Sequence, residues 1–530
     1  VNNINIKKIN KVLIANRGEI ACRIIKACKE LKITSVAIYS EVDKNSLHKI
    51  SADEAYFIGE AQPKSSYLNI DKIIKIAKDN NCDAIHPGYG FLSENEEFNK
   101  RVTQEGLIFI GPKSNEVNLL GSKIQSRRIM IENNIPIVPG FEINQTEIDE
   151  SNLADIQTKV DKIGFPILVK ASAGGGGKGM RIVTNQNELL DSINSAKREA
   201  LSAFADDSIF IEKYIQNPRH IEVQIAADKY GNIIHLFERE CSLQRRHQKI
   251  IEETPSIALN SELRNQITKT AIEVVKSVNY ESIGTVEFIM DSENNFYFLE
   301  VNTRIQVEHP ITEMVTGVDL LQLQIKIAEG YELPHKQSDI RQLGHSIECR
   351  IYAEDSKNNF MPTGGEVLFL SEPIGKNIRI DSGIIKGTQI TPFYDPIMSK
   401  VIVYAEDREK ARVKMVYALK NTVILGIKNS IPFMINLLNS EEFKSGNTFT
   451  NTISNNLEKY NKEVIDFNFD SSNELLNSDE NQNEIAVILS AIGLTKEYNS
   501  NKNNSYSGNL GNSTNAKDNL WISIGPLKFL

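Results

Sequence analysis

Two stretches of this chain place reactive residue types at spacings that suit phosphate and metal chemistry. In the first, Ile167-Leu-Val-Lys170 has the apolar run of a strand, Ala171-Ser-Ala-Gly174-Gly175-Gly176-Gly177-Lys178-Gly179-Met180-Arg181 follows, and Ile182-Val183 turns apolar again. Consecutive glycines accept positive φ and leave backbone N–H groups bare, so phosphate oxygens can approach closely. Gly174, Gly176 and Gly179 satisfy the form G-x-G-x-x-G, but a dinucleotide fold needs a helix to open there, and this pattern predicts a second strand. Nor is it a Walker loop, because Gly179 stands where that loop requires Ser or Thr. A glycine-rich hairpin folded over a triphosphate fits better than a flexible turn.

In the second stretch, Thr285-Val-Glu287-Phe-Ile-Met290 and Phe296-Tyr-Phe-Leu-Glu300-Val-Asn302 read as two strands of a hairpin. A turn centred between Glu293 and Asn294 sets Glu287 opposite Glu300, and the period of two puts Asn302 on the same face. Facing carboxylates repel unless a cation lies between them, and oxygen ligands of this kind suit Mg²⁺ (or Mn²⁺) shared with substrate phosphates. Thr303-Arg304-Ile-Gln306-Val307-Glu308-His309-Pro310 follows at once. If extended, it points Arg304, Gln306 and Glu308 into one site. Arg304 can then grip a planar oxyanion, and Glu308, kept ionised by that arginine, can act as a general base. A surface ion pair is the competing reading.

These groups need a scaffold to converge. Lys11-Val-Leu-Ile-Ala15 reads as a strand, Asn16-Arg17-Gly18 as a turn, and Ile20, Ile24, Ala27 and Leu31 recur at helical spacing. Val36-Ala-Ile-Tyr39 is the next strand, 70–78 the next helix, and Ala84-Ile85 opens another strand. Such alternation predicts an α/β domain with a parallel sheet over residues 1–121. Residues 122–330 mix hairpins and helices and hold the reactive stretches, whereas 343–457 are rich in strand signals and turns such as Pro362-Thr-Gly-Gly365. The tail, 458–530, is linker-like: Asn, Ser and Lys dominate 496–517, between a helical pattern at 484–494 and a strand-like 520–524. The predicted class is α/β and α+β.

Composition narrows the function. A formal net charge of −9 argues against nucleic acid or an anionic membrane surface as the main partner. No apolar run is long enough to span a bilayer, and Val1 to Asn10 looks like neither a secretory signal nor a transit peptide, so a cytoplasmic location is expected. Cys22, Cys28, Cys82, Cys241 and Cys349 are never spaced C-x-x-C, which reads as reduced thiols rather than a zinc site or a disulfide framework. The basic cluster Arg245-Arg-His-Gln-Lys249 lacks the interleaved aromatics of a nucleic-acid patch. His86, before Pro87 in a glycine turn, reads as a loop cap, and His235 as a core histidine.

Taken together, the motifs resemble those of the biotin carboxylase family. Ile14-Ala-Asn-Arg-Gly-Glu-Ile-Ala21, His86-Pro-Gly-Tyr-Gly-Phe-Leu-Ser-Glu-Asn95, the glycine loop, Glu240-Cys-Ser-Leu-Gln-Arg-Arg-His-Gln-Lys249 and Glu300-Val-Asn-Thr-Arg-Ile-Gln-Val-Glu-His309 occur in the family's order. The resemblance implies an ATP-grasp ligase: an N-terminal α/β domain, a central ATP-grasp domain with a glycine-rich lid, and a mainly β C-terminal domain. It implies that Lys123 and Lys170 contact ATP phosphates beneath Gly174, Gly175, Gly176 and Gly177. Glu212, Lys213, Tyr214 and Ile215 match the hinge strand that holds adenine, and His220, Gln244, His247 and Val307 match further cofactor-site positions. Lys249 matches a lysine at the phosphate end and joins the catalytic set. Glu287, Glu300 and Asn302 match the metal ligands. Arg304 matches the bicarbonate-binding arginine, Glu308 the base, and Arg350 the arginine that stabilises the enolate-like form of biotin. Arg350 is far from the others in sequence and is expected to face the acceptor from the opposite wall.

The implied chemistry is ATP- and bicarbonate-dependent carboxylation of biotin through carboxyphosphate, the first half-reaction of an acyl-CoA carboxylase. The implied partners are a biotin carboxyl carrier protein or domain, a carboxyltransferase subunit and a second copy of the chain in a homodimer. No Ala/Val-Met-Lys-Met attachment signature occurs, Val413-Lys414-Met415 being the nearest string. Biotin is therefore expected on a carrier, or on a longer form of this chain. The tail near Trp521 faintly resembles the start of the linker domain of acyl-CoA carboxylase α-subunits. Three readings compete. Another ATP-grasp ligase, of the carbamoyl-phosphate or carboxylate–amine type, would share the nucleotide and metal sites. A nicotinamide-dependent oxidoreductase is disfavoured by the single glycine of Asn16-Arg17-Gly18. A non-catalytic scaffold has no reason to hold carboxylates face to face.

Overall fold

The computed structural model describes residues 6–143, 150–171, 180–204, 207–246 and 248–461. The first strand forms over Lys11–Ile14, with Val12, Leu13 and Ile14 buried. It is the middle of five parallel strands in the order Glu54–Gly59, Thr34–Ser40, Lys11–Ile14, Ala84–His86, Ile108–Phe109. Parallel strands need crossover helices, which cover both faces. Helix Gly18–Glu30 packs Ile20, Ile24 and Ala27 on one face, and Ile70–Asp79 packs Ile73, Ile74 and Ala77 on the other. His86 ends the fourth strand in sequence, and its Nδ1 accepts the Gly88 N–H at 3.0 Å, as a loop cap does. His235 is half-buried, its ring edge-on to Phe237.

A buried ion pair pins the turn before the first helix. Asp43 accepts from Arg17 Nε and Nη2 at 2.8 Å each, and from the Tyr67 hydroxyl at 2.6 Å. Burial pushes the Asp43 carboxyl up, but Arg17 outweighs it and takes the group from 3.8 to about 2. A depressed carboxyl contributes stability above its unfolded pKa and loses it as pH falls through the folded value. Asp43→Asn is therefore expected to cost about 2 kcal/mol at neutral pH. In urea unfolding, the gap between variant and native chain should close as pH falls from 3.8 to about 2.

The main sheet has eight antiparallel strands in the order Phe296–Asn302, Ser282–Met290, Arg219–Ala227, Ile233–Arg245, Gln248–Thr254, His345–Tyr352, Ile397–Ala405, Ile378–Ser382. It runs unbroken across the gap between 122–330 and 343–457, because Gln248–Thr254 pairs with His345–Tyr352. On one face of that junction Ile347, Cys349 and Ile351 pack with Val401, Val403 and the helices Arg408–Lys420 and Ile431–Asn439. The other face turns Glu348 and Arg350 toward helix His309–Thr316.

A third, antiparallel sheet has the order Gly140–Ile143, Ile209–Lys213, Ile167–Ala171, Arg181–Val183. It contains the expected glycine hairpin: Ile167 lies opposite Val183 and Val169 opposite Arg181, so a strand and not a helix follows the glycines. Gly174, Gly175, Gly176, Gly177 and His247 lie outside the described residues, as do the patterns at 484–494 and 520–524. The five cysteines are free, and only Cys22 is not buried. Among the described residues, no helix is long and apolar enough to cross a membrane.

Candidate active site

Residues of the two antiparallel sheets, with loop and helix residues that follow strands of the parallel sheet, line one cleft of about 2080 Å³. Glu287 and Glu300 are register partners at its wall, and Asn302 lies opposite Thr285 on the same face. The route to that pairing differs from a regular hairpin. The outer pairs, Ile289 with Tyr297 and Met290 with Phe296, centre the turn on Glu293, and the register then slips between Glu287 and Phe288. Leu299 is the extra residue and is 47% exposed. The earlier turn and the bulge offset each other, so the two carboxylates still meet.

Glu287 Oε1 accepts from Lys249 Nζ, Asn302 Nδ2 and Gln306 Nε2, each at 2.8 Å. His220 Nε2 lies 3.1 Å from the other oxygen. Burial pushes the Glu287 carboxyl up, but Lys249 and His220 outweigh it and hold it well below the usual range. Three oxygen-bearing side chains on paired strands, two of them carboxylates of register-partner residues, fit a hard divalent cation such as Mg²⁺ or Mn²⁺. His220, Glu222 and Glu287 also bring ligand atoms within 4.8 Å of one another. Glu222, however, is engaged by Arg239 and Lys249, and it does not line the cleft.

Lys249 joins these groups to Glu308. Its ammonium is bonded to Glu222, to Glu287 and, at 2.6 Å, to Glu308 Oε1. The second Glu308 oxygen accepts from Arg350 Nη2 at 2.9 Å. Burial pushes Glu308 up, but Lys249 and Arg350 outweigh it and keep it ionised far below the usual carboxylate range. The expectation that Arg304 does this is corrected. Arg304 donates instead to Glu94 at 3.0 Å and to Asn302 Oδ1 at 2.8 Å. The strand ends at Asn302, and Glu308, with φ −81° and ψ 6°, already caps helix His309–Thr316, so residues 304, 306 and 308 do not share an extended face. Arg350 is corrected in place as well: it touches Glu308 directly rather than standing on a separate wall.

Sequence reasoning missed the support beneath this cluster. Arg239 is fully buried and donates to Glu222, to Gln224 at 2.6 Å and to Gln306 at 2.7 Å. The signal was available in His220-Ile-Glu222-Val-Gln224, where polar residues alternate with apolar ones on a strand of a sheet covered on both faces.

Among the residues expected to hold nucleotide, Lys170 Nζ and Glu212 Oε1 pair at 2.6 Å on neighbouring strands. Tyr214 and Lys213 donate their backbone N–H groups to Pro166 and Pro139 at 3.0 and 2.9 Å, which pins the segment. The Lys213 ammonium turns to the carbonyls of Gly164 and Phe165 at 3.0 and 3.3 Å. Ile215, His220, Gln244 and Val307 line the same cleft, and Lys123 opens helix Lys123–Glu132. The Val307 carbonyl accepts from the buried Lys400 at 2.8 Å. Lys414 lies in helix Arg408–Lys420 and donates to the Tyr404 carbonyl at 2.7 Å.

The family model for the biotin carboxylase N-terminal domain matches residues 8–117, that for the carbamoyl-phosphate synthase L chain ATP-binding domain matches 122–336, and that for the biotin carboxylase C-terminal domain matches 348–455. Biotin carboxylase 1 of Bacillus subtilis is 49% identical over 439 residues, covering 83% of this chain and 96% of that protein. This chain belongs to the biotin carboxylase family. Within the family, mitochondrial methylcrotonoyl-CoA carboxylase subunit alpha of Rattus norvegicus is 48% identical over 446 residues, 84% of this chain. The chain spans 62% of the length of that relative. Among solved biotin carboxylases, the domain of the Hydrogenobacter thermophilus 2-oxoglutarate carboxylase superposes with a TM-score of 0.79 at 45% identity, covering 86% of this chain and 100% of that one. That structure is a dimer in complex with MgADP, ADP and bicarbonate. Membership sets aside the oxidoreductase reading of the parallel sheet.

Proposed function

We propose that this chain carboxylates biotin held on a carrier, using ATP and bicarbonate, through carboxyphosphate. The observation that carries this reading is the Lys249–Glu308–Arg350 contact chain, a buried ionised carboxylate held between two cations at the cleft. The bicarbonate and MgADP of the Hydrogenobacter thermophilus structure support it.

In this reading adenine lies against Glu212, Lys213, Tyr214 and Ile215, and the phosphates extend toward Lys123, Lys170 and the glycine hairpin. His220, Gln244 and Val307 complete the pocket, and His247, outside the described residues, keeps its proposed nucleotide role from the family resemblance alone. Glu287, Glu300 and Asn302 would hold Mg²⁺ or Mn²⁺, which supplies charge neutralisation at the phosphates when bound. Glu308 takes the bicarbonate proton. Carbonate then attacks the γ-phosphoryl group, giving carboxyphosphate and ADP, with Arg304 and Lys249 on the anion. Carboxyphosphate splits into CO₂ and inorganic phosphate, and the phosphate takes the proton of the biotin ureido nitrogen. That nitrogen captures CO₂, and Arg350 steadies the negative ureido oxygen formed on the way. A carboxylate depressed as far as Glu308 is a weak base until its cations turn to the incoming anion. Substrate binding therefore raises its basicity when it is needed.

The proposed domains are 1–121, 122–330 and 343–457, with 458–530 a linker. The proposed partners are a biotin carboxyl carrier protein or domain, a carboxyltransferase subunit and a second copy of the chain, and the proposed location is cytoplasmic.

The purified chain is expected to hydrolyse ATP with Mg²⁺ at a rate that rises when free biotin and bicarbonate are added. A rate indifferent to both would assign another acceptor, as in a carbamoyl-phosphate type ligase. Glu300→Gln should lower that activity roughly a hundredfold, about 2.7 kcal/mol of barrier, and raise the Mg²⁺ needed for half-maximal rate. Full activity at low Mg²⁺ would move the metal elsewhere.

A further inference from the structure

Behind Arg350 lies a pair of carboxyls that the proposed reaction does not use. Glu252 and Glu348 are direct cross-strand partners on Gln248–Thr254 and His345–Tyr352, so their side chains leave one face of the sheet side by side. Both are 0% exposed. Glu252 Oε1 accepts from Arg350 Nε at 2.5 Å, but among the described residues Glu252 Oε2 and both Glu348 oxygens have no hydrogen-bond donor.

The charged groups around the pair are all engaged. Arg350 holds Glu252 and Glu308, and Lys249 holds Glu222, Glu287 and Glu308. Lys400, on Ile397–Ala405, donates to the Val307 carbonyl and lies 3.2 Å from Glu19. His309, from the helix above, shares its Nδ1 with the Gln306 carbonyl at 2.7 Å. Asp381, farther along the sheet, pairs with Arg379. Two facing carboxylates served by one guanidinium in a dry interior cannot both stay ionised; protonating one costs far less than burying it unpaired. Burial, with Glu252 beside it, pushes Glu348 well above the carboxylate range against the pull of Lys400. Burial raises Glu252 to about 7 in spite of Arg350.

We propose that Glu348 is carried as a neutral carboxylic acid sharing its proton with Glu252, and that the pair is a positioning device for the Arg350 guanidinium. The acid O–H supplies the donor that Glu252 Oε2 lacks, which leaves the charge of Glu252 to Arg350. Arg350 is then locked in one plane, Nε on Glu252 and Nη2 on Glu308, while it lines the cleft. The proton belongs to the pair, and Glu348 is its favoured site because Glu252 is the member facing the arginine.

The shared proton stands on burial and register alone, whereas its consequence for turnover rests on the biotin carboxylase reading. Infrared difference spectra of native and Glu348→Gln protein near neutral pH read the proton directly. The carbonyl stretch of an un-ionised carboxylic acid is expected in the native chain and lost in Glu348→Gln. Absence of that band from the native chain, or its persistence in Glu348→Gln, overturns the proposal. Glu348→Ala is expected to lower kcat for carboxybiotin formation about tenfold or more, as small misplacements of a reacting group do, with the KM for ATP unchanged. Glu348→Gln, with its neutral amide donor, should restore most of the rate. A native rate in Glu348→Ala, or a KM for ATP that rises in step with the loss, removes the positioning role. If Glu348→Ala does not fold, Glu252→Gln gives the same test, with a loss in kcat and a displaced acid band expected; an undisplaced band counts against the shared proton. A native chain that makes no carboxybiotin would overturn the parent reading and the positioning role with it, while the band still decides the protonation.

Discussion

Lys249→Met is expected to lower carboxybiotin formation roughly a thousandfold and to cost the fold about 3–5 kcal/mol. The side chain is only 12% exposed and serves three carboxylates at once. Two of them keep a cation without it, Glu222 through Arg239 and Glu308 through Arg350. Glu287 keeps no lysine or arginine among the described residues; it is left with the amides of Asn302 and Gln306 and the imidazole of His220. The loss therefore falls on the proposed metal ligand. Added Mg²⁺ should recover part of the thermal midpoint, because a cation at Glu287 replaces the missing charge. It should not recover the rate, because in the proposed reaction the lysine also serves the reacting anion. Lys249→Arg should be nearly as inactive, since a planar fork does not reach three separate oxygens in the place of a compact ammonium. Thermal melts with and without Mg²⁺, beside a carboxybiotin assay, check both halves. A Lys249→Met rate within about tenfold of native would place Lys249 outside the reaction.

Local pattern carried the parts of this molecule that are local. The strand–turn–helix start, the glycine hairpin and the Glu287–Glu300 pairing all follow from periodicity over short spans. The pairing survived an error in the turn only because the bulge at Leu299 compensates, which no spacing argument foresees. The Arg304–Glu308 link failed because it assumed that the strand continued. His309-Pro310 instead begins a helix, where proline at the first turn is at home, and that signal stood in the sequence. The support shell was legible only in part. The alternation around Glu222 was there to read, but Arg239 meets Gln306, and Glu252 meets Glu348 and Arg350, through contacts between segments distant in sequence, and register between distant strands is not written in either one. The same holds for the unbroken eight-stranded sheet. The break between 122–330 and 343–457 rests on a rise in strand and turn signals, and Thr254 and Ser346 pair across it.

Arg350→Ala and Glu308→Gln are expected to separate the two halves of the reaction. Among the described residues, the side-chain hydrogen bonds of Arg350 and Glu308 go to Glu252, Tyr352, Lys249 and each other and not to the proposed adenine segment 212–215, so calorimetry should find ATP affinity close to native in both. Glu308→Gln removes the base and should abolish bicarbonate-dependent ATP cleavage and carboxybiotin formation together. Arg350→Ala should behave differently, and the 2.9 Å contact between Arg350 and Glu308 says how. Losing one of two cations raises the Glu308 pKa from its depressed value while Lys249 still holds it ionised near neutrality. A carboxylate less depressed is a better base, so ATP cleavage should persist, and the acid limb of its pH–rate profile should move to higher pH. Carboxyl transfer should fall roughly a hundredfold or more, because the developing oxyanion on biotin has lost its donor. Uncoupling is the signature: phosphate release without carboxybiotin. Part of the loss in Arg350→Ala will be structural, since Glu252 loses the cation bonded to it and is driven to take up a proton. Arg304→Ala controls for that, because Arg304 is 21% exposed and its partner Glu94 can return to water. If Arg350→Ala lost ATP binding while transfer per ATP cleaved stayed native, Arg350 would belong to the nucleotide site, and Glu308 would be left with Lys249 alone as its functional partner.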